Sequence, residues 1–271
     1  MKDLKHEIKI VTGMLVLAIV AVTGLGINKL NNMRLSSAAQ KKEVVQEEVL
    51  ESVPKKTTLK TVGKKKVAID AGHQLYGDSS TEPVGPGAST KKAKVSGGAT
   101  GVATGVPEYK LNLDVAKKLR KELIDRGYEV YMIRSKNDVN ISNKKRAIKA
   151  NKSGADIYIR IHGDSSESSS VSGASALYPS KSNPYVSKLS KKSYKLSKAI
   201  IDSYCEETGI KNRGCIVRDD LTGTNWSQIP VTLIEMGFMS NSTEDKKMQK
   251  KSFQNKMAKG IADGIDAYFG Y

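Results

Sequence analysis

Short runs of β-branched residues alternate with amphipathic segments of helical length from about residue 65 to the end of this chain. Strands are predicted at residues 67–70, 129–134, 156–161, 173–178, 215–218 and 231–234, and helices at residues 109–126, 142–152 and 186–207, with closing helices through Met248 and Ile265. Strands rich in Val and Ile that are joined by helical crossovers are typical of parallel sheets. The pattern therefore predicts an α/β fold, with a mostly parallel twisted sheet and helices on both faces.

The N-terminal region has a different character. Residues 10–28 contain no charged side chain, and their number is close to the ~20 residues that a helix needs to cross a bilayer. We therefore predict that residues 1–30 form a transmembrane signal anchor. A cleaved signal peptide is the alternative, because small residues follow at positions 37–39, although the apolar stretch exceeds the ~7–15 residues of an ordinary signal core. Lysines flank the stretch on both sides, so charge alone does not set its orientation.

The polar segment that follows predicts a linker. Residues 31–64 are rich in Ser, Gln, Lys and Glu and contain no aromatic residue, so they cannot bury enough apolar surface to fold alone. The remaining residues, 65–271, are numerous enough for one domain with a substantial core.

The chain is strongly basic, with 45 Lys and Arg against 28 Asp and Glu and a formal net charge of +17. We expect no nucleic-acid partner, because the basic residues are spread over many predicted helices and the three Phe and one Trp offer little for base stacking. An anionic wall polymer or lipid headgroups fit this charge better. Solubility through dispersed positive charge is the competing interpretation.

The predicted domain contains two histidines, and each follows a predicted strand. His73 comes after the run that ends at Asp70, and His162 ends the strand at residues 156–161. Because ligands bind at the carboxyl ends of parallel strands, two imidazoles placed there from distant parts of the sequence indicate one shared site. Imidazole is the commonest metal ligand in proteins, so a metal is the leading hypothesis. Two unrelated loop histidines are the alternative.

Two acidic residues lie in comparable positions. Glu108 opens the helix predicted at residues 109–126, where a carboxylate would also simply complement the helix dipole. Glu235 follows the apolar strand at residues 231–234, where a carboxylate has no packing use and its desolvation is costly. We therefore interpret Glu235 as a functional residue.

These residues and their contexts resemble a known family. The sequence of residues 65–271 is similar to the zinc-dependent N-acetylmuramoyl-L-alanine amidases of the type 3 amidase family. The matching segments are Ile-Asp-Ala-Gly-His at residues 69–73, Glu-Tyr-Lys-Leu-Asn-Leu at 108–113, Arg-Gly-Tyr at 126–128 with Tyr-Met-Ile-Arg at 131–134, Ile-His at 161–162, and Pro-Val-Thr-Leu-Ile-Glu-Met-Gly-Phe-Met-Ser-Asn at 230–241.

The resemblance implies a set of roles. His73, Glu108 and His162 would bind Zn²⁺, and Glu235 would be the catalytic acid/base. The implied reaction is hydrolysis of the amide bond between N-acetylmuramic acid and L-alanine, so peptidoglycan would be the substrate. Two imidazoles and one carboxylate leave a coordination position open for water, as catalytic zinc sites require. Since peptidoglycan lies outside the cytoplasmic membrane, we expect the domain there, anchored by the N-terminal helix or secreted if the signal is cleaved.

The chain departs from the family pattern at three places. Gln74 follows the first histidine where the family more often has Gly, and Gly163-Asp164 follow the second where it has Ala-Asn. The stretch at residues 75–104 is unusually long and rich in Gly, Ser and Thr. A long loop near a metal site is usually functional or disordered, and we expect a cleft wall that selects the substrate.

Several alternatives stay open at this stage. A zinc carboxypeptidase also uses two His, one Glu and a later Glu, but its first His and Glu lie only three residues apart. A silent wall-binding or scaffold protein would lack at least one of the four residues. Cys205 and Cys215 could form a disulfide or be buried thiols. Asp70 could orient a ligand or cap a buried loop, and Trp226 could line the cleft or pack in the core.

Overall fold

The computed structural model describes residues 65–271. The predicted anchor at residues 1–30 and the predicted linker at residues 31–64 lie outside this range and stay predictions. No helix within residues 65–271 has the length and apolarity that a membrane span requires.

The described chain alternates strands and helices as the sequence predicts, with some additions. The strands are β1 (Lys66–Ala71), β2 (Asp78–Pro83), β3 (Lys91–Val95), β4 (Glu129–Met132), β5 (Ile157–Asp164), β6 (Ala174–Tyr178), β7 (Asn212–Val217) and β8 (Val231–Phe238). The helices are α1 (Glu108–Asp125), α2 (Asn143–Lys152), α3 (Ser190–Thr208), α4 (Thr222–Asn225), α5 (Ser242–Met248) and α6 (Lys251–Phe269), and a 3₁₀ turn, Ser187–Leu189, precedes α3.

Six strands form one mixed sheet in the order β4-β1-β5-β8-β6-β7. The first four are parallel to one another, β6 pairs antiparallel with β8, and β7 pairs parallel with β6. The prediction of a mostly parallel sheet is confirmed, with the reversed pair β6 and β7 as a feature that periodicity did not indicate. The reversal follows from chain length, because the connection between β5 and β6 contains no helix, and a parallel return needs a crossover of about a dozen or more residues.

Helices cover both faces of the sheet. Apolar side chains of α1, α3 and α6 pack on one face in the larger core cluster, which includes Ile69, Ile159 and Ile234. On the other face, Ala147 and Ala150 of α2 pack with Ala68, Tyr158 and Val231 in a smaller cluster. Because strand side chains alternate between faces, Arg160, His162 and Glu235 point to the face that α2 covers only in part.

Local signals set the helix ends near their predicted positions. The Ser142 hydroxyl accepts a hydrogen bond from the backbone N–H of Lys145 and caps α2. Gly127, the predicted stop after α1, has φ of +89°, which favours glycine. The prediction missed the hairpin of β2 and β3 within residues 75–104, because its strands are mostly polar and lack the alternation of a half-buried strand.

Candidate metal centre and catalytic cleft

Three of the sequence-predicted residues meet at the carboxyl ends of the central strands. His73 follows β1, His162 lies within β5, and Glu108 is the first residue of α1. Their ligand atoms all lie within 4.8 Å of one another. Since β1 and β5 are paired in parallel, their ends are adjacent, and α1 returns the chain to the same edge.

The three side chains form a closed triangle of contacts. His73 Nε2 lies 3.1 Å from Glu108 Oε2 and 3.1 Å from His162 Nδ1. His162 Nδ1 also lies 3.1 Å from Glu108 Oε1. The planes of the two imidazole rings are inclined by 79°, so both rings present an edge nitrogen to the same small volume.

Hydrogen bonding fixes which nitrogen of His73 faces this volume. His73 Nδ1 lies 2.9 Å from the carbonyl oxygen of Ser96, to which it donates, and 3.2 Å from the Ser96 hydroxyl. With the proton on Nδ1, the lone pair of Nε2 points at Glu108 and His162. His73 also adopts φ of +57°, and it is the one non-glycine residue with positive φ among residues 65–271. Such a conformation is uncommon for a residue with a side chain and is concentrated at functional sites.

Two backbone N–H groups and one side-chain amide donate to the Glu108 carboxylate. The backbone N–H of Ala99 donates to Oε2 at 2.9 Å, while the backbone N–H of Gly163 and the Asn112 amide donate to Oε1 at 3.1 and 3.0 Å. Burial by itself would raise the pKa of Glu108, but the hydrogen bond from His162 and the adjacent His73 imidazole outweigh it and hold the pKa well below its usual range. Glu108 is therefore ionised.

His162 is buried beneath the turn that carries His73. A Cβ atom on Gly72 would lie 2.2 to 2.6 Å from atoms of the His162 ring, so only glycine fits there. Burial lowers the pKa of His162 to about 4, although the hydrogen bond to Glu108 opposes the shift. The imidazole is therefore neutral near pH 7, which is the form that binds metals.

The donor set fits a zinc ion. Zinc–ligand distances of about 2.0–2.1 Å in a tetrahedron place neighbouring ligand atoms roughly 3.3 Å apart, close to the 3.1 Å contacts seen here. A Cβ on Gly98 would come within 2.9 Å of both Glu108 Oε2 and His73 Cγ, so the cradle leaves no room for a larger residue. Two neutral imidazoles and one carboxylate are the ligand types of catalytic zinc sites.

Glu235 lies beside this triad in the same cleft. It pairs in register with His162 across β5 and β8, and both residues line a cavity of about 420 Å³. Its Oε2 atom is buried and accepts no hydrogen bond within the described part of the chain. Burial raises the pKa of Glu235 well above its usual range, and the carboxylates of Glu108 and Asp164 add to the shift. A cation bound by the triad would oppose that rise.

The hairpin of β2 and β3 forms one wall of the cleft, as we expected for residues 75–104. Lys92 and Ser96 line the cavity. Lys92 Nζ donates to Asp220 Oδ2 at 2.7 Å, and Arg218 Nε donates to Asp220 Oδ1 at 2.7 Å, so an ion-pair cluster joins the hairpin to the opposite wall. Substrate selection by this wall stays a prediction.

Of the two roles considered for Asp70, the structure supports the buried structural one. Its carboxylate accepts hydrogen bonds from Arg146, Arg160 and the Tyr158 hydroxyl at 2.7, 3.2 and 2.9 Å. Although burial disfavours the charge, Arg146 and Arg160 hold the pKa of Asp70 well below its usual range. Asp70 contacts no ligand directly, but its partner Arg146 donates to the His73 carbonyl at 2.9 Å.

Sequence reasoning missed the two arginines that hold the His73 turn. Arg146 donates to the carbonyls of Ala71 and His73, and Arg134 donates to the carbonyls of Ala71 and Gly72. Gln74, a departure from the family pattern, accepts a further hydrogen bond from Arg146 at 2.9 Å. Periodicity could not reveal them, because a buried arginine at a helix or strand end looks like a surface residue in sequence.

Trp226 and the cysteines also have defined environments. Trp226 packs against the smaller core cluster and donates from Nε1 to the Pro83 carbonyl at 3.0 Å, so it supports the hairpin and is absent from the cleft lining. Cys205 and Cys215 are both free thiols. Burial raises their pKa values to about 12 and about 11.

Comparisons with known proteins show the family to which this chain belongs. The profile of a family described as N-acetylmuramoyl-L-alanine amidase matches residues 67–267. N-acetylmuramoyl-L-alanine amidase LytC of Bacillus subtilis is 27% identical over 168 residues, a match that covers 62% of this chain and 32% of LytC. This chain thus spans about a third of that relative.

Two solved structures show the same fold. The amidase Ami1 of Mycobacterium smegmatis superposes with a TM-score of 0.69 at 26% identity and covers 76% of this chain and 97% of its own. The catalytic domain of the amidase CwlV of Bacillus (Paenibacillus) polymyxa superposes with a TM-score of 0.61 at 28% identity and covers 76% of this chain and 98% of its own.

Proposed function

We propose that this chain, which belongs to the N-acetylmuramoyl-L-alanine amidase family, is a zinc-dependent hydrolase that removes stem peptides from peptidoglycan glycan strands. The bond cleaved joins the lactyl group of N-acetylmuramic acid to L-alanine. The observation that carries the proposal is the convergence of His73, Glu108 and His162 on one point, with Glu235 in the same cavity.

His73 Nε2, His162 Nδ1 and the Glu108 carboxylate would hold the zinc ion. Bound zinc supplies Lewis acidity and lowers the pKa of water towards about 7. Glu235 would take a proton from the attacking water and return it to the departing amine, because an amide nitrogen leaves poorly unless it is protonated. The buried Oε2 of Glu235, without a partner in the described chain, is free for this exchange.

The reaction is tested by incubating the full chain with purified peptidoglycan and identifying the new chain ends. We expect new amino groups on L-alanine. New reducing sugars would indicate a glycosidase, and new amino groups elsewhere in the stem peptide would indicate a peptidase, and either result would contradict the proposal.

Two variants separate metal binding from proton transfer. His162→Ala should lose the zinc, because it removes one of three ligands. Glu235→Gln keeps the side-chain size, so it should retain zinc and fold while the rate falls by about 10²–10⁴-fold. If Glu235→Gln loses zinc, Glu235 is a metal ligand and the proposed role is wrong. If it keeps near-normal activity, another residue is the base, and Asp164 is the next one to test.

We further propose that the domain acts outside the cytoplasmic membrane, where its substrate lies. The uncharged residues 10–28 would anchor it there.

A further inference from the structure

A second concave surface lies at the edge of the sheet, away from the catalytic residues. Tyr178 at the end of β6, Val217 at the end of β7 and Tyr194 of α3 line a groove of about 630 Å³. The two tyrosine rings lie 5.2 Å apart between centroids and are tilted by 53°. Tyr194 and Val217 are 42% and 47% exposed, so the groove has an apolar floor that is open to solvent.

A lysine-rich segment of the chain contributes to this groove. Residues 181–198 contain six lysines and no acidic residue, at positions 181, 188, 191, 192, 195 and 198. Lys181 and Lys191 line the groove itself, and Lys192, Lys195 and Lys198 are exposed along α3. Lys198 pairs with Asp202, whereas the other five make no ion pair with any residue between 65 and 271. We call these six lysines with Tyr178 and Tyr194 the basic groove.

Most of the positive charge of the basic groove has no ion-pair partner among residues 65–271. The nearby Asp219 carboxylate accepts its hydrogen bonds from the neutral Ser180 and Asn183 and forms no ion pair with these lysines. Elsewhere on the domain some exposed lysines pair with acids, as in Lys121–Asp125 and Lys259–Glu207, and others, such as Lys251 and Lys256, do not. What distinguishes residues 181–198 is six lysines without an acidic residue beside an apolar groove. Dispersed charge for solubility does not require such clustering, so the arrangement points to an anionic partner.

The basic groove is separate from the catalytic cleft. Leu177 lines the cleft and Tyr178, the next residue of β6, lines the groove. Because successive side chains of a strand point to opposite faces, the two surfaces lie on opposite faces of the same sheet edge. A molecule held in the groove would therefore leave the cleft open.

We propose that the basic groove binds a linear anionic wall polymer with phosphate groups in its backbone. Lys191, Lys195 and Lys198 recur on one stripe of α3 at intervals of about 4.5 to 6 Å along the helix axis, a spacing that suits a chain of repeated phosphates. The tyrosine pair offers an aromatic face to the sugar or polyol units between phosphates. A bilayer surface fits less well, because a flat layer of headgroups cannot enter a concave groove.

The test measures binding of the full chain, in non-ionic detergent, to lipid-free poly(glycerol phosphate). We expect binding that weakens with salt. Lys191→Gln combined with Lys195→Gln should weaken it by roughly 30-fold, the effect expected when two lysines leave an anionic surface. The matched control is Lys251→Gln with Lys256→Gln, which removes the same charge from exposed positions of α6. Tyr194→Ala should weaken binding several-fold with all lysines kept.

The outcomes are distinct. The proposal holds if the α3 pair loses binding, the α6 pair keeps it, and both pairs keep the wild-type fold. If the α3 and α6 variants lose polymer binding equally, net charge alone explains the binding, and the proposal of a specific site is wrong. Absence of binding to the polymer would also overturn it, as would tighter binding to vesicles of phosphatidylcholine and phosphatidylglycerol than to the polymer. Normal binding by Tyr194→Ala would overturn the role of the groove. None of these results depends on whether the cleft is an amidase site.

Discussion

A single amide group connects the helix that carries Glu108 to the turn that carries His73. Asn112 Nδ2 lies 3.0 Å from Glu108 Oε1 and 3.3 Å from the Gly72 carbonyl, and the residue is fully buried. Asn112 follows Glu108 by one helical turn, so the two side chains lie on the same side of α1. The Asn112 amide thus fixes the orientation of the Glu108 carboxylate without being a metal ligand itself.

Replacing Asn112 with Leu should weaken zinc binding by about 10- to 100-fold, because Glu108 loses one of its orienting donors while the ligands themselves remain. Competition titration with a zinc chelator measures the change. Asn255→Leu, at an exposed position of α6, is the control and should leave the affinity unchanged. If Asn112→Leu binds zinc as tightly as the wild type, Ala99 and Gly163 alone orient Glu108.

The two cysteines should react slowly in the folded protein. Burial raises the pKa of Cys205 to about 12 and of Cys215 to about 11, so at pH 8 the reactive thiolate is a smaller fraction than in an exposed cysteine. Alkylation with iodoacetamide, followed by mass spectrometry, should label neither residue readily until the chain is denatured, and labelling should rise with pH. A mass lower by two hydrogens without reductant would instead reveal a disulfide.

At the scale of elements, a buried ion pair connects β1 and α2. Arg146 of α2 is completely buried and donates to Asp70 of β1 at 2.7 Å, and it also holds the turn that ends in His73. Breaking one partner of a buried ion pair leaves an uncompensated charge, which is far costlier than loss of an exposed pair. The metal-ligand turn therefore depends on the packing of a helix on the opposite side of the strand from α1.

Arg146→Met should lower the free energy of unfolding by about 3–5 kcal/mol, as measured by denaturant titration. Lys198→Gln, which breaks the exposed Lys198–Asp202 pair, is the comparison and should cost under about 0.5 kcal/mol. Equal effects of Arg146→Met and Lys198→Gln would show that the buried network contributes little to stability.

At the scale of the whole molecule, the proposed anchor determines where the enzyme works. If residues 10–28 span the membrane, the full chain should stay in the membrane fraction after washing with high salt and should keep its N-terminal residues. Cell fractionation with N-terminal sequencing measures both properties. A soluble chain that begins near Gln40 would show that the segment is a cleaved signal peptide.

The strands and helices of the central sheet could be predicted from sequence, because their apolar runs and stop signals are local. The strand of His162 and the helix that Glu108 opens were both predicted to within a few residues. The hairpin of β2 and β3 could not be predicted, since its polar strands are held by distant partners such as Trp226 and Asp220. The reversed direction of β6 depends on a strand order that periodicity does not contain.

The sequence by itself determined which residue types stand at strand ends, and therefore the candidates His73, Glu108, His162 and Glu235. Tertiary structure decided which atoms meet: the 3.1 Å contacts of the triad, the proton on His73 Nδ1 and the enclosure of Glu235. It also decided that Arg134 and Arg146 hold the His73 turn and that Lys181 and Lys191, from a run of six lysines, line a groove. The physical reason is that residue type and periodicity are local properties, whereas burial, tautomer and charge compensation depend on neighbours brought from distant parts of the chain.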